Sequence, residues 1–226
     1  LLRKILGLYT IRVNDFEFTR FLRFTDIDGY LPSLKSSALY PYIMLTYLIQ
    51  KLTKKYTIKN PKPFIVVDAV ECMEKFIASL DRQCSVLEVG AGNSSLWFLS
   101  KGCRVLSFEH NKEWANDIMQ HAEKAYSNDL KNLQLEICQG SEALRKMSHV
   151  SGNFDIILID SMNAFTSRFE ALKILKNKVS ANGILVLDNS DGPVNWKALG
   201  EMQNLKYKRF TGYAYNCPFV CQTTIW

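Results

Sequence analysis

The sequence predicts an α/β fold: a mostly parallel seven-stranded sheet between helices, preceded by a mainly helical N-terminal extension. Three observations predict it. From residue 84 onward, apolar runs alternate with stretches of helical periodicity. Two of the runs, Ile156-Ile157-Leu158-Ile159 and Ile184-Leu185-Val186-Leu187, are apolar at every position, as strands covered on both faces are. Residues 85–97 pass from an apolar run through Glu88-Val89-Gly90-Ala91-Gly92 into Asn93-Ser94-Ser95-Leu96-Trp97, which reads as buried strand, tight turn and helix start.

The elements follow in order. Residues 39–56 carry apolar side chains at helical spacing and predict a helix. Asn60-Pro61-Lys62-Pro63 breaks the chain. Residues 66–80 predict a second helix, with Val67, Val70, Met73, Phe76, Ile77 and Leu80 on one face. Strands are predicted at 84–89, 104–109, 133–138, 154–160 and 183–188, with helices over 95–101, 112–126, 141–147 and 165–177. Two closing strands are predicted at 206–210 and 219–225. The division expected is an extension over residues 1–62 and one domain over 63–226.

Charge separates these two parts. Residues 1–62 hold 11 Lys/Arg against 4 Asp/Glu, while residues 63–226 hold 17 against 18. The basic excess, 11 − 4 = +7, therefore belongs to the extension, where it suits an acidic partner, a membrane surface, nucleic acid or a solvated helix face. The longest apolar run, residues 39–49, contains Pro41 and several hydroxyls and is too short to span a bilayer, so no membrane span is expected. The six cysteines form no CxxC pair, and the expectation is reduced thiols in a reducing, cytoplasmic compartment. No His/Cys cluster supports zinc.

In an open α/β sheet, ligands bind beyond the carboxyl ends of the strands. That rule selects Glu88 to Gly92, Glu109-His110, Gln139-Gly140-Ser141, Asp160-Ser161 and Asp188-Asn189-Ser190-Asp191. The glycine turn carries an acid and no lysine, so a cationic or hydroxyl-rich ligand suits it better than a triphosphate.

Over about residues 64–226 these motifs resemble the Rossmann-like class I S-adenosylmethionine-dependent methyltransferases. The markers are the Glu88-x-Gly90-x-Gly92 turn, Glu109 ending the next strand, Phe154-Asp155-Ile156-Ile157-Leu158-Ile159-Asp160, and Asn182-Gly183-Ile184-Leu185-Val186-Leu187-Asp188. The resemblance implies S-adenosylmethionine held by Glu88, Gly90, Ala91, Gly92, Asn93 and Ser94, by Glu109 and His110, by Ser141 (where the family often has aspartate) and by Asp160. An NAD-binding fold would share the glycine turn and the strand-two acid, but the turn here lacks the full GxGxxG, and the paired acids Asp160 and Asp188 suit a methyltransferase better.

Gly92-Asn93-Ser94-Ser95-Leu96-Trp97 and Glu109-His110-Asn111-Lys112-Glu113-Trp114 resemble a group found beside glycosyltransferases. That implies O-methylation of a sugar hydroxyl on a glycan or nucleotide sugar. It also implies association with or fusion to glycosyltransferases, as in some large algal viruses, in which case the host cytoplasm is the location. Tyr213, Tyr215 and Asn216 are candidates to line the acceptor pocket. A nucleic-acid methyltransferase gripping phosphates through the basic extension, and a non-catalytic binding module, stand as alternatives. Against the former, strand four ends Ile159-Asp160-Ser161-Met162 and lacks the Asp/Asn-Pro-Pro-Tyr of amino methyltransferases.

Asp160, Asp188 and Asn189 also resemble the ligand set of metal-dependent O-methyltransferases, which implies Mg²⁺ or Mn²⁺ on three hard oxygens. The base positions of those enzymes hold Met162 and Asn163 here. Asp191 and Asp160 are therefore the expected catalytic bases, with His110 next.

Overall fold

The computed structural model describes residues 8–13, 16–21, 24–53, 61–161, 167–215 and 217–226. Two strands, β1 (Leu8–Val13) and β2 (Phe16–Phe21), pair antiparallel with Val13 opposite Phe16. The extension expected to be mainly helical thus begins with a hairpin. Its alternating aromatic, β-branched and charged residues favour a pleated strand over a helix. One long helix follows, α1 (Leu34–Thr53). The helix predicted over 39–56 begins earlier than expected, and residues 54–56 lie outside the described residues.

The remaining elements are α2 (Val67–Ser79), β3 (Ser85–Val89), α3 (Asn93–Ser100), β4 (Arg104–Glu109), α4 (Lys112–Ala125), β5 (Leu133–Ile137) and α5 (Gly140–His149). They continue with β6 (Phe154–Ile159), α6 (Arg168–Leu175), β7 (Val179–Asp188), α7 (Pro193–Glu201), β8 (Lys208–Ala214) and β9 (Cys217–Ile225). The seven strands after β2 form one sheet in the order β5-β4-β3-β6-β7-β9-β8. Sequence reading expected a mostly parallel sheet; it is mixed. The pairs among β3 to β7 are parallel, but β9 runs antiparallel to both β7 and β8. The cause is the short β8–β9 connection, which can only make a hairpin. A parallel return needs a crossover of a dozen residues or more.

Strand side chains alternate between two cores. Val86, Val105, Leu158 and Val186 meet α2, α3 and α4 through Met73, Leu96, Phe98 and Ile118. Leu87, Val89, Ile157, Ile159, Leu185 and Leu187 meet α5, α6 and α7 through Met147, Leu172 and Ala198. Burial on both faces explains why these strands are apolar at every position. At the opposite end of the sheet from the glycine turn, Arg82 clamps Asp155 with two bonds of 2.7 Å, and Ser85 N donates to the same carboxylate. Arg82 holds the Asp155 carboxyl well below the usual range. This motif acid therefore ties β3 to β6 and lies away from the candidate site.

The extension is built onto the sheet. Ile43 of α1 packs with Val67, Tyr213 and Val220. Ahead of α1, the fully buried Asp26 accepts from Tyr30 N (2.8 Å), Thr211 Oγ1 (3.0 Å) and Gln222 Nε2 (2.9 Å). No helix among the described residues is long and apolar enough to cross a membrane.

Candidate active site

The carboxyl ends of β3, β4, β6 and β7 bring together most of the residues selected from the sequence. Gly90 has φ +100, and a Cβ there would lie 2.5 Å from the Asp160 carbonyl oxygen. Only glycine lets the β3 turn pass this close to the end of β6. Asp160 N closes the junction by donating to Val89 O at 3.0 Å. Ala91 O accepts from Trp114 Nε1 at 2.8 Å, and Gly92 N donates to Ser95 Oγ at 3.0 Å, so the turn is fixed from both sides.

Glu88 is fully buried behind this turn. Its Oε2 accepts from Ser95 Oγ and from Ser107 Oγ, the latter at 2.7 Å. Its Oε1 has no partner among the described residues, and neither does Asn93 Oδ1 at the start of α3. Burial pushes the Glu88 carboxyl up to about 7, against the pull of the Ser94, Ser95 and Ser107 hydroxyls. Glu109, 4% exposed, accepts from His110 N and Asn111 N at 2.8 Å each. Both bonds, and the 2.7 Å approach of His110 Nδ1, fall on Oε1. Oε2 takes no part in them. Gln139 Nε2 reaches His110 O at 3.2 Å and joins the ends of β4 and β5. Ser141 stands exposed on the first turn of α5.

Buried acceptors left unpaired are costly unless a ligand completes them. Two such oxygens beside a glycine turn, with a buried carboxylate one strand away, fit a ligand that presents an ammonium group and hydroxyls. S-adenosylmethionine carries both, so the chain's residues fit this cofactor.

The neighbouring oxygens do not fit a metal. Asp160, Asp188 and Asn189 do converge, as expected, but Arg168 from the first turn of α6 fills the space between them. Its Nη2 donates to Asp160 Oδ1 at 3.2 Å and to Asn189 Oδ1 at 3.0 Å. Its Nη1 donates to Asp188 O and lies 3.9 Å from Asp188 Oδ2, while Nε donates to Ser161 O at 2.9 Å. At the place where the sequence put Mg²⁺ or Mn²⁺, a guanidinium engages the donors. No group of three or more His, Cys, Asp or Glu among the described residues could hold a metal. Burial pushes both aspartates up, and the charge of Asp160 raises the deeper Asp188 further while Arg168 opposes the rise.

Asp191 is buried, and its Oδ2 accepts from Ile27 N at 2.9 Å. Burial raises it to about 6. Gly192, at φ +85, is packed against Ile27, and Trp196 Nε1 donates to Asp28 Oδ1 at 3.1 Å. Residues 26–28 thus strap the start of α7, leaving Trp196 49% exposed. The tyrosines fall elsewhere than expected. Tyr213 is core, tilted on Tyr40 with centroids 4.5 Å apart, and Tyr215 is covered by Lys62 at 4.7 Å. Asn216, Met162 and Asn163 lie outside the described residues.

Sequence reasoning missed Arg168 and Trp196. Arg168 left one signal, a cation in the first turn of a helix, where the helix dipole disfavours positive charge unless a specific partner is present. Trp196 left none. A separate cleft of about 620 Å³, lined in part by Arg104, Glu136, Arg145 and Lys146, shares none of the site residues.

No protein-family model matches the sequence, and no curated protein matches it significantly. Solved structures do. The O-methyltransferase TomG from Streptomyces achromogenes, determined in complex with SAM, superposes with a TM-score of 0.55 at 12% identity, over 81% of this chain and 87% of that one. A protein assigned as a caffeoyl-CoA O-methyltransferase from Staphylococcus aureus superposes with a TM-score of 0.55 at 16% identity, over 85% and 98%. At these identities the likeness is one of fold. The strand order, the glycine turn at the end of β3 and these superpositions together give the chain the fold of the class I S-adenosylmethionine-dependent methyltransferases.

Proposed function

We propose that the protein is an S-adenosylmethionine-dependent O-methyltransferase acting on a sugar hydroxyl of a glycan or nucleotide sugar. The observation that carries the cofactor half is the pair of unpartnered buried acceptors, Glu88 Oε1 and Asn93 Oδ1, beside the Gly90 turn. Bound S-adenosylmethionine supplies an electrophilic methyl group on positive sulfur. The chain's own work is alignment, exclusion of water and removal of one proton. Glu109 would hold the ribose hydroxyls, and the backbone of the Gly90 turn would hold the methionine portion. Asp160, whose side chain is 22% exposed, stands between the turn and the acceptor side. It would take the proton of the acceptor hydroxyl, and the bound cofactor would supply the methyl group. Asp191 is the second candidate for that proton.

The acceptor half rests on the acceptor-side surface and on the sequence resemblance. Trp196 offers a half-exposed aromatic face braced by Asp28, and sugar rings combine an apolar face with hydroxyls that carboxylates accept. The same sequence resemblance makes glycosyltransferases the partners proposed for it.

Calorimetry with S-adenosylhomocysteine tests the cofactor half. Wild type binds, and Glu109→Ala binds roughly 10–100-fold more weakly, the cost of one or two hydrogen bonds to a charged group. Transfer of labelled methyl to a panel of sugars and nucleotide sugars tests the acceptor half. Labelled sugar whose KM rises in Trp196→Ala supports it; label appearing only in RNA or DNA overturns it.

A further inference from the structure

We infer that Asp160, Asp188 and Asn189 form a cation position whose permanent occupant is the guanidinium of Arg168, so that this enzyme holds its acceptor without a divalent metal. The inference takes its meaning from the methyltransferase reading above, but its test does not depend on it.

The geometry is that of a built site. Arg168 is 8% exposed, and its three nitrogens meet five oxygens: Ser161 O, Asp188 O, Asp188 Oδ2, Asp160 Oδ1 and Asn189 Oδ1. The side chain reaches them from the first turn of α6, an end of the helix where the dipole opposes a positive charge. A buried cation persists there only because oppositely charged and polar groups surround it. The backbone contributes as well. Asn189 has φ 48, the left-handed region, and its side-chain oxygen is one of the acceptors of Arg168 Nη2. Asn is the non-glycine residue that enters that region most readily.

Replacing a spherical ion by a planar fork changes what the site can do. A divalent ion would keep free coordination positions and could chelate two adjacent oxygens of a diol. The guanidinium has a fixed set of donors, and those described here are directed at protein oxygens. Arg168 is therefore a positioning residue. It fixes the Asp160 carboxylate toward the acceptor and prevents the two aspartates from repelling each other. A single hydroxyl, not a vicinal diol, is then the required group on the acceptor.

The test is titration with MnCl₂, with free Mn²⁺ read by electron paramagnetic resonance, on proteins first shown by circular dichroism to be folded. Wild type is expected to show no Mn²⁺ binding that Asp160→Asn abolishes. Arg168→Ala, which leaves the Asp160 and Asp188 carboxylates and an amide without their cation, is expected to bind Mn²⁺ on the order of tenfold or more tighter than wild type. That gain is expected to vanish in Arg168→Ala/Asp188→Asn. An arginine with a merely structural role would leave Mn²⁺ affinity unmoved. The inference is overturned if wild type binds Mn²⁺ through Asp160, or if folded Arg168→Ala gains no affinity. Should Arg168→Ala not fold, Arg168→Gln carries the same expectations. Failure of wild type to bind S-adenosylhomocysteine would sink the methyltransferase reading and leave the Mn²⁺ pattern standing.

Discussion

The carboxyl of Glu88 shows how one residue can link folding to ligand chemistry. Burial lifts it from an ordinary 4.5 to about 7, and one of its oxygens has no partner among the described residues. A folded-state value above the unfolded one means that the native protein binds the proton more tightly. The stabilisation from this group is complete below about pH 4.5 and is lost as pH rises through 7. The difference corresponds to on the order of 3 kcal/mol. Urea unfolding of wild type and Glu88→Gln between pH 5 and 8 checks this. The wild type is expected to lose stability across the range and the variant to lose much less. The neighbouring Asp160 and Asp188 show the complementary lesson. Both are pushed up by burial, yet they sit together because Arg168 lies between them. The acids were readable as end-of-strand residues. Their counter-ion was not, because it arrives from a helix whose docking angle no local pattern records.

At the scale of elements, the β3–α3 turn depends on one glycine. Gly90→Ala places a Cβ 2.5 Å from a backbone oxygen at a φ of +100, and neither atom can move without shifting β3 or β6. The expected cost is about 3 kcal/mol, combining positive-φ strain with the clash. The thermal midpoint should fall by roughly 6–12 °C, with S-adenosylhomocysteine affinity reduced as well. Calorimetry of the variant measures both. The strands of the sheet were legible because Ile156 to Ile159 and Ile184 to Leu187 are apolar throughout, a pattern that burial on both faces imposes. The β1–β2 hairpin was not read, since a short alternating segment gives a weak signal against the helix that follows it. The direction of β9 was equally hidden, because an apolar run has no polarity until its connection is known.

At the scale of the molecule, the segment ahead of α1 and the sheet are joined through Asp26. Its carboxylate collects bonds from its own loop, from β8 and from β9, and residues 27 and 28 then bind Asp191 and Trp196. Asp26→Ala should cost about 3 kcal/mol, since three donors, one of them buried, lose their acceptor together. Limited proteolysis should then cut within residues 24–33 while S-adenosylhomocysteine binding, which the proposed function assigns to the Gly90 turn and Glu109, is retained. Loss of cofactor binding without new cleavage would contradict this division of labour. The layered α/β architecture, the glycine turn and the acids at the strand ends were all legible along the chain. Those features are dictated by burial on two faces and by backbone geometry, which act over a few neighbouring residues. Only the tertiary structure decided that an arginine holds the place expected of a metal, that Tyr213 is core, and that residues 26–28 bind beside Asp191. Each of these depends on contacts between segments far apart in the chain, and side-chain chemistry alone does not say which distant partner a charge will meet.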